Sequence, residues 1–337
     1  MKVLICSEPG KMEYAEKPIP TPAAHELLLK INTIGICGTD LHAFNGNQPY
    51  FTYPRILGHE IGASVADANG HDHFTVGEAV TIMPYFYCGN CFSCRKSRTN
   101  CCSNLKVAGV HIDGAMQEYF CVPASSAINK TGLAAEQLAI VEPFAIGEHA
   151  LSRAGVNSGN RILILGAGPI GIGIALLALY RKAEVTIADP DPYRLDLCRT
   201  VSGLNFIDMS KENIQERIME LTEGDGAEFV FEASGNLKAI ESTIGLLAHG
   251  GKIILVGIQK QSFTFHHPDF HKKETTLMSS RNAVPADFEN VIKFFNQPQS
   301  SDFHFINNRI RFENAASWFM DANTQKNKII KSVISFD

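Results

Sequence analysis

The segment "CGNCFSCRKSRTNCC" brings Cys88, Cys91, Cys94, Cys101 and Cys102 into one short stretch. Cysteines at this density act as disulfide staples, redox groups or metal ligands. Cys88, Cys91, Cys94 and Cys102 are spaced C-x2-C-x2-C-x7-C, so three thiolates from one tight coil and a fourth after a short return can surround a tetrahedral Zn²⁺. Four ligands leave no open position, which makes such a site structural. Gly89 allows a sharp bend between ligands. An iron–sulfur cluster fits less well, because the fourth cysteine is too distant for the bacterial ferredoxin run and no Cys-Pro follows. Cys101 competes with Cys102 only by adjacency. Cys6, Cys121 and Cys198 have no partner pattern and suit ordinary buried thiols.

A second set of donors is scattered. "GICGTDLH" contains Cys37, "LGHE" contains His59 and Glu60, and "VEPFAIGEHA" contains Glu142. Each alone has a plainer explanation: a core cysteine, a satisfied polar histidine, a glutamate before proline in a turn. Together they offer one thiolate, one imidazole and one or two carboxylates, enough for a catalytic zinc with an exchangeable position. A metal there would acidify an alcohol hydroxyl and favour loss of hydride to a nicotinamide.

The cofactor signal is "GAGPIG", in which Gly166, Gly168 and Gly171 flank Ala167, Pro169 and Ile170 at G-x-G-x-x-G spacing. It follows the apolar "RILIL" and precedes "PIGIGIALLALYRK", a stretch of helical length. Strand, glycine turn and helix start are what a pyrophosphate needs, since free N–H groups at the helix start face the anion. Asp189 ends the next strand candidate, "AEVTIADPD", where a carboxylate can accept the adenosine ribose hydroxyls and repel a 2′-phosphate, favouring NAD over NADP. Asp189 also suits a turn before Pro190, and Arg194 could either pack over the adenine or receive a 2′-phosphate. Val256 and Gly257, after "GGKIIL", complete the candidate cofactor contacts.

The elements that must position these residues differ along the chain. Short apolar runs punctuated by Gly, Pro and Thr up to about Ala145 suit strands and loops. From Arg161 strand and helix candidates alternate through "AEFVFEASG" and "GGKIILVGI", which predicts parallel βαβ units. After about Asn282 the texture is mixed again, and "NKIIKSVISF" resembles the first region. The expected organisation is α/β: one domain from 1–145 and 283–337, interrupted by a dinucleotide-binding domain at 146–282. A chain of 337 residues with 45% hydrophobic content can bury two cores without disulfides. A soluble cytoplasmic protein is expected, since no secretory leader is visible and the longest apolar run, Ile170 to Tyr180, is too short for a bilayer. Net charge of −5 gives no electrostatic case for nucleic acid or an anionic membrane.

The ordered set of motifs resembles the zinc-dependent medium-chain dehydrogenase/reductase superfamily, which includes alcohol, sorbitol and threonine dehydrogenases. The resemblance covers essentially the whole chain. It implies a GroES-like, mostly-β catalytic domain with an inserted Rossmann domain, a doubly wound parallel sheet. Cys37, His59 and Glu142 match catalytic zinc positions, Glu60 an exchanging ligand, and the cysteine lobe a structural zinc. Glu142 in place of a cysteine points to the polyol and threonine branch. Thr39 and His42 match a proton relay, and Lys331 a basic position that steadies substrate or cofactor. "GNQPYFTYPRILGHE", "KSRTNCC", "GVHIDGAMQEY" and "FHKKETTLMSSRNA" are further similar to bacterial L-galactonate and L-gulonate 5-dehydrogenases, implying a hexonate substrate. Such a substrate needs a cation for its carboxylate and polar groups for its hydroxyls. Arg281 and Asn282 are the first candidates, followed by Asn47, Gln48, His111 and Arg55. Neutral polyols and L-threonine are the rival substrates. A zinc-free quinone reductase and a non-catalytic zinc-binding regulator are the rival classes, and neither uses both ligand sets. A homo-oligomer, dimer or tetramer, is expected from the superfamily.

Overall fold

The computed structural model describes residues 1–48, 51–298, 305–325 and 329–336. Pro49 and Tyr50 of the quoted "GNQPYFTY" stretch lie outside the described residues. The chain forms two compact units. The first runs over Met1–Glu142, resumes at Val284–Pro298 and includes the described residues from Phe305 onward; the second is centred on Pro143–Ala283.

In the first unit the long strand Glu26–Ile36 is the organiser. Leu27, Leu29 and Ile31 alternate into the core with none of their surface exposed. It pairs antiparallel with Glu60–Asp67, with Tyr119–Pro123 and with Lys331–Ser335, within a seven-stranded sheet. Two pairings decide where chemistry can occur. Gly35 lies opposite Glu60, and Ile36 lies opposite Ser332, so Cys37, Glu60 and Lys331 are delivered from three neighbouring strand ends. A Cβ on Gly35 would stand 1.9 Å from Glu60 Oε2, so the missing side chain makes the space that the carboxylate occupies. The helix Ala135–Ala154 docks closely, since a Cβ on Gly62 would stand 2.3 Å from the Ala135 carbonyl. The Thr81 hydroxyl lies 3.1 Å from the Ile61 carbonyl and 2.9 Å from that of Leu138.

This helix differs from the expectation of strands and loops up to Ala145. Pro143 sits inside it, and Glu142 is a helical residue, not part of a turn before proline. Packing on Gly62 and Thr81 outweighs the missing N–H of one proline.

The second unit is a six-stranded, all-parallel sheet ordered Leu204–Asp208, Glu184–Asp189, Arg161–Leu165, Ala227–Glu232, Leu247–Leu255 and Thr276–Ser279. Numbered along the chain this is 3-2-1-4-5-6, the doubly wound order, whose ligand crevice lies at the carboxyl ends of the strands where the order reverses. The strands read as continuous apolar runs because both faces are covered. Leu163, Ile164, Val230, Phe231, Ile253 and Ile254 have no exposed surface.

Candidate active site

The cysteine lobe hangs from a two-residue ladder in which Tyr85 pairs with Val107 and Phe86 with Lys106. Beyond this neck Cys88, Cys91, Cys94 and Cys102 converge, one sulfur from each lying within 4.8 Å of the others. All are free thiols, and Cys101 is outside the set. Backbone N–H groups of Cys88 and Asn104 donate to Cys102 Sγ at 3.3 Å. Protons are unevenly shared among the thiols. Backbone N–H groups of Cys94 and Ser103 pull Cys91 down to about 5, whereas burial and neighbouring sulfurs push Cys94 up to about 12. Four crowded thiols cannot all ionise by themselves, and a dication relieves that conflict. The donor set fits a closed, four-thiolate zinc.

The second group is buried. Cys37 caps the short helix Gly38–Phe44, Glu60 begins the strand Glu60–Asp67, and His59 immediately precedes it. One ligand atom from each of Cys37, His59 and Glu60 lies within 4.8 Å of the others. His59 is 6% exposed and Glu60 0%, depths at which charged groups persist only when paired or metal-bound. Nδ1 of His59 makes no hydrogen bond among the described residues and faces Asp40 Oδ1 at 3.9 Å. Burial alone would lower the His59 pKa, but Cys37, Asp40 and Glu142 hold it well above the usual imidazole range, so the neighbourhood favours positive charge on the ring. Glu142 stands outside the three-residue set but belongs to the same field. Burial raises its carboxyl to about 7, Glu60 pushes the same way, and His59, Tyr85 and Lys331 pull back. Asp40, Glu60 and Glu142 thus form a buried acidic cluster in which Lys331 is the fixed cation. A thiolate, an imidazole and a carboxylate in such surroundings fit zinc.

Lys331 is 2% exposed, pairs with Glu60 and donates to the Ile36 carbonyl at 3.1 Å. Its ammonium is therefore committed to the protein. Burial would lower its pKa, but Glu60 and Cys37 outweigh this and keep it charged. Thr39 and His42 share one face of the Gly38–Phe44 helix, Thr39 half-buried and His42 exposed. Asn47 is exposed and Gln48 half-buried just beyond that helix. His111 Nδ1 accepts the Val107 N–H at 3.1 Å, so in the neutral ring the proton sits on Nε2. Arg55 is held by Thr52 Oγ1 at 2.8 Å and by Asp113 at 3.7 Å.

In the second unit, Gly166 has φ +104°, and a Cβ on Gly171 would stand 1.8 Å from the Gly166 carbonyl. Gly168 caps the helix Pro169–Tyr180, and a Cβ there would approach only Arg194 Nη1, at 4.0 Å. Asp189 is buried; Oδ2 accepts the Ala167 N–H at 2.7 Å and Oδ1 the Asp191 N–H at 2.8 Å. Arg194 Nη1 lies 3.7 Å from Asp189. The Val256 and Gly257 N–H groups both donate to the Glu232 carbonyl at 2.9 Å. Arg281 is exposed and Asn282, at φ +52°, half-buried, both just past the edge strand Thr276–Ser279.

Three residues escaped the sequence reading. Asp40 receives the N–H groups of Cys37 at 2.9 Å and Gly58 at 3.3 Å and places its charge 3.9 Å from His59 Nδ1; its position three residues after Cys37 was the available signal. Glu232, with no exposed surface, accepts the Ser234 N–H at 2.9 Å and the Gly235 N–H at 3.1 Å in its carboxylate, which holds the loop that follows it, while its backbone carbonyl takes the Val256 and Gly257 N–H groups of the next one. Tyr85 donates its hydroxyl to Glu142 across 57 positions, and no local pattern announces such a contact.

Fold and site together define a zinc-type alcohol dehydrogenase. A family model for the alcohol dehydrogenase GroES-like domain matches residues 23–132, and one for zinc-binding dehydrogenase matches 169–297. The chain belongs to this family of medium-chain dehydrogenases and is an oxidoreductase. It is 39% identical to L-galactonate-5-dehydrogenase of Escherichia coli strain K12, over 100% of this chain and 99% of that one. Sorbitol dehydrogenase of Halalkalibacterium halodurans is 33% identical over 88% of this chain and 89% of that one. A crystal structure of an alcohol dehydrogenase from Escherichia coli CFT073, complexed with NADH, superposes with a TM-score of 0.91 at 26% identity, covering 100% and 99% of the two chains.

Proposed function

We propose that the enzyme oxidises a secondary alcohol of a sugar acid, L-galactonate or L-gulonate at C5, and passes the hydride to NAD. The observation that carries the substrate class is the full-length similarity to L-galactonate-5-dehydrogenase. Cys37, His59 and Glu60 hold the catalytic zinc, with Glu142 at its margin, and Cys88, Cys91, Cys94 and Cys102 hold a structural one. Bound there, zinc supplies a Lewis acid that makes an alcohol hydroxyl easier to deprotonate. Thr39 takes up that proton as it passes its own hydroxyl proton to His42, which, exposed on the same helix face, releases a proton to solvent. The Gly166–Gly171 turn, Asp189, Arg194, Val256 and Gly257 bind NAD, and Arg281, Asn282, Asn47, Gln48 and His111 contact substrate.

A neutral polyol is the second reading, supported by the sorbitol dehydrogenase relative. One assay separates them. NAD reduction is followed with L-galactonate, L-gulonate, sorbitol and L-threonine; the highest kcat/KM on a hexonate is expected, and the highest on sorbitol or threonine overturns the acid-sugar reading. In an Arg281→Ala variant the hexonate should lose about 2–5 kcal/mol of binding while sorbitol barely changes, because only the acid presents a carboxylate.

Among the described residues no helix is long and apolar enough to cross a membrane. The chain is also taken to form a homo-oligomer through the exposed edge strand Thr276–Ser279, a point that light scattering tests.

A further inference from the structure

Tyr85 sits where two parts of the first unit meet. Its backbone belongs to the ladder that closes the cysteine lobe, opposite Val107. Its ring is 2% exposed and packs edge-on against Phe288, with centroids 6.2 Å apart and planes at 70°. Its hydroxyl donates to Oε1 of Glu142. Ring and backbone are thus fixed, so the phenol is a rigid donor.

Glu142 lies in the field of His59, Glu60 and Lys331. A buried carboxylate with several low-energy rotamers could turn toward Lys331 or toward the metal ligands. The phenol restricts that choice by engaging one of the two oxygens, Oε1. We propose that Tyr85 is a positioning residue for the catalytic metal: by holding Glu142 it fixes the carboxylate that stands beside the Cys37, His59 and Glu60 site. This rests on the zinc reading given above.

Tyr85→Phe removes the hydroxyl while keeping the ring, its packing on Phe288 and the ladder. The catalytic zinc should then be lost to a competing chelator at about 10–100-fold lower chelator concentration, the range typical of an outer-shell partner. With cobalt(II) loaded in place of zinc, the visible ligand-field bands of the mixed-ligand site should shift, while the thiolate charge-transfer bands of the cysteine cage and the melting temperature stay. Unchanged chelator resistance and an unchanged cobalt spectrum in Tyr85→Phe overturn the assignment. Glu142→Gln provides a second route should Tyr85→Phe fail to fold: it should loosen the same metal and shift the same bands, and no change there overturns the assignment as well. A parent protein that binds only the cage metal refutes the catalytic zinc together with this inference. Two metals with no response to Tyr85→Phe refute this inference alone.

Discussion

Asp189 has two tasks. Its carboxylate accepts the N–H of Ala167 inside the glycine turn and that of Asp191 beyond the strand, while standing where an adenosine ribose is expected. The carboxylate shapes the turn, and in the proposed cofactor site it would also select NAD. A 2′-phosphate would meet a like charge, so NAD should be preferred by on the order of a hundredfold or more. Asp189→Ala should narrow that gap but also weaken NAD itself, by about 1.5–3 kcal/mol for the lost charge-assisted bonds. Steady-state kinetics with both cofactors test this, and equal efficiency with the two in the parent protein refutes the selector role. Thr39 and His42 make a different case, because in the proposed relay each would act through the other. Thr39→Val and His42→Ala should each slow turnover by about 10²- to 10⁴-fold without releasing metal or cofactor. The double variant should lose far less than the product of the single losses. Fully multiplicative losses would mean that the two do not work on one proton.

At the scale of elements, what could be read in the sequence depended on how local the cause was. The strand, glycine turn and helix of Arg161–Tyr180 were legible because all the determinants lie within one stretch of chain. The cysteine lobe was legible for the same reason, and its geometry separates Cys102 from Cys101. The helix Ala135–Ala154 was not, because Glu142–Pro143 argues locally for a turn while the opposing cause, docking on Gly62 and Thr81, is remote in sequence. Tyr85 and the buried pairing of Lys331 with Glu60 were hidden likewise; each needs strands that meet only after folding. The glycine turn allows a contrast of two substitutions. Gly171→Ala forces a Cβ to 1.8 Å from the Gly166 carbonyl, so the turn must open and thermal stability should fall by at least 1–3 kcal/mol. Gly168 has φ −80°, a value alanine adopts freely, and only Arg194 lies near. Gly168→Ala should therefore melt like the parent yet bind NAD at least tenfold more weakly, since the added methyl stands where the backbone must approach the pyrophosphate. Calorimetric melting and NADH fluorescence titration read the two effects separately; a stable Gly168→Ala with full affinity would remove the turn from the cofactor site.

For the whole molecule, the two ligand sets predict two metals with unlike behaviour. The four-thiolate cage offers no open position and hangs from the Tyr85–Val107 neck, in a lobe where, between Cys88 and Leu105, only Asn100, Cys102 and Leu105 are buried. The mixed Cys37, His59 and Glu60 site is buried within the main sheet, whose core persists without metal because Leu29, Ile31, Ile34 and Ile61 pack with no exposed surface. Three protein ligands would leave a metal there with an open coordination position, so it should exchange first. Elemental analysis should give two zinc ions per chain, and limited chelation should remove one of them together with activity while the melting temperature stays within a few degrees. Harsher chelation should then empty the cage, free four thiols to a thiol reagent and unfold the lobe. Simultaneous loss of activity, both metals and fold would mean that the sites are not divided into a catalytic and a structural role, and a single zinc per chain would leave one of the two donor sets without its ion.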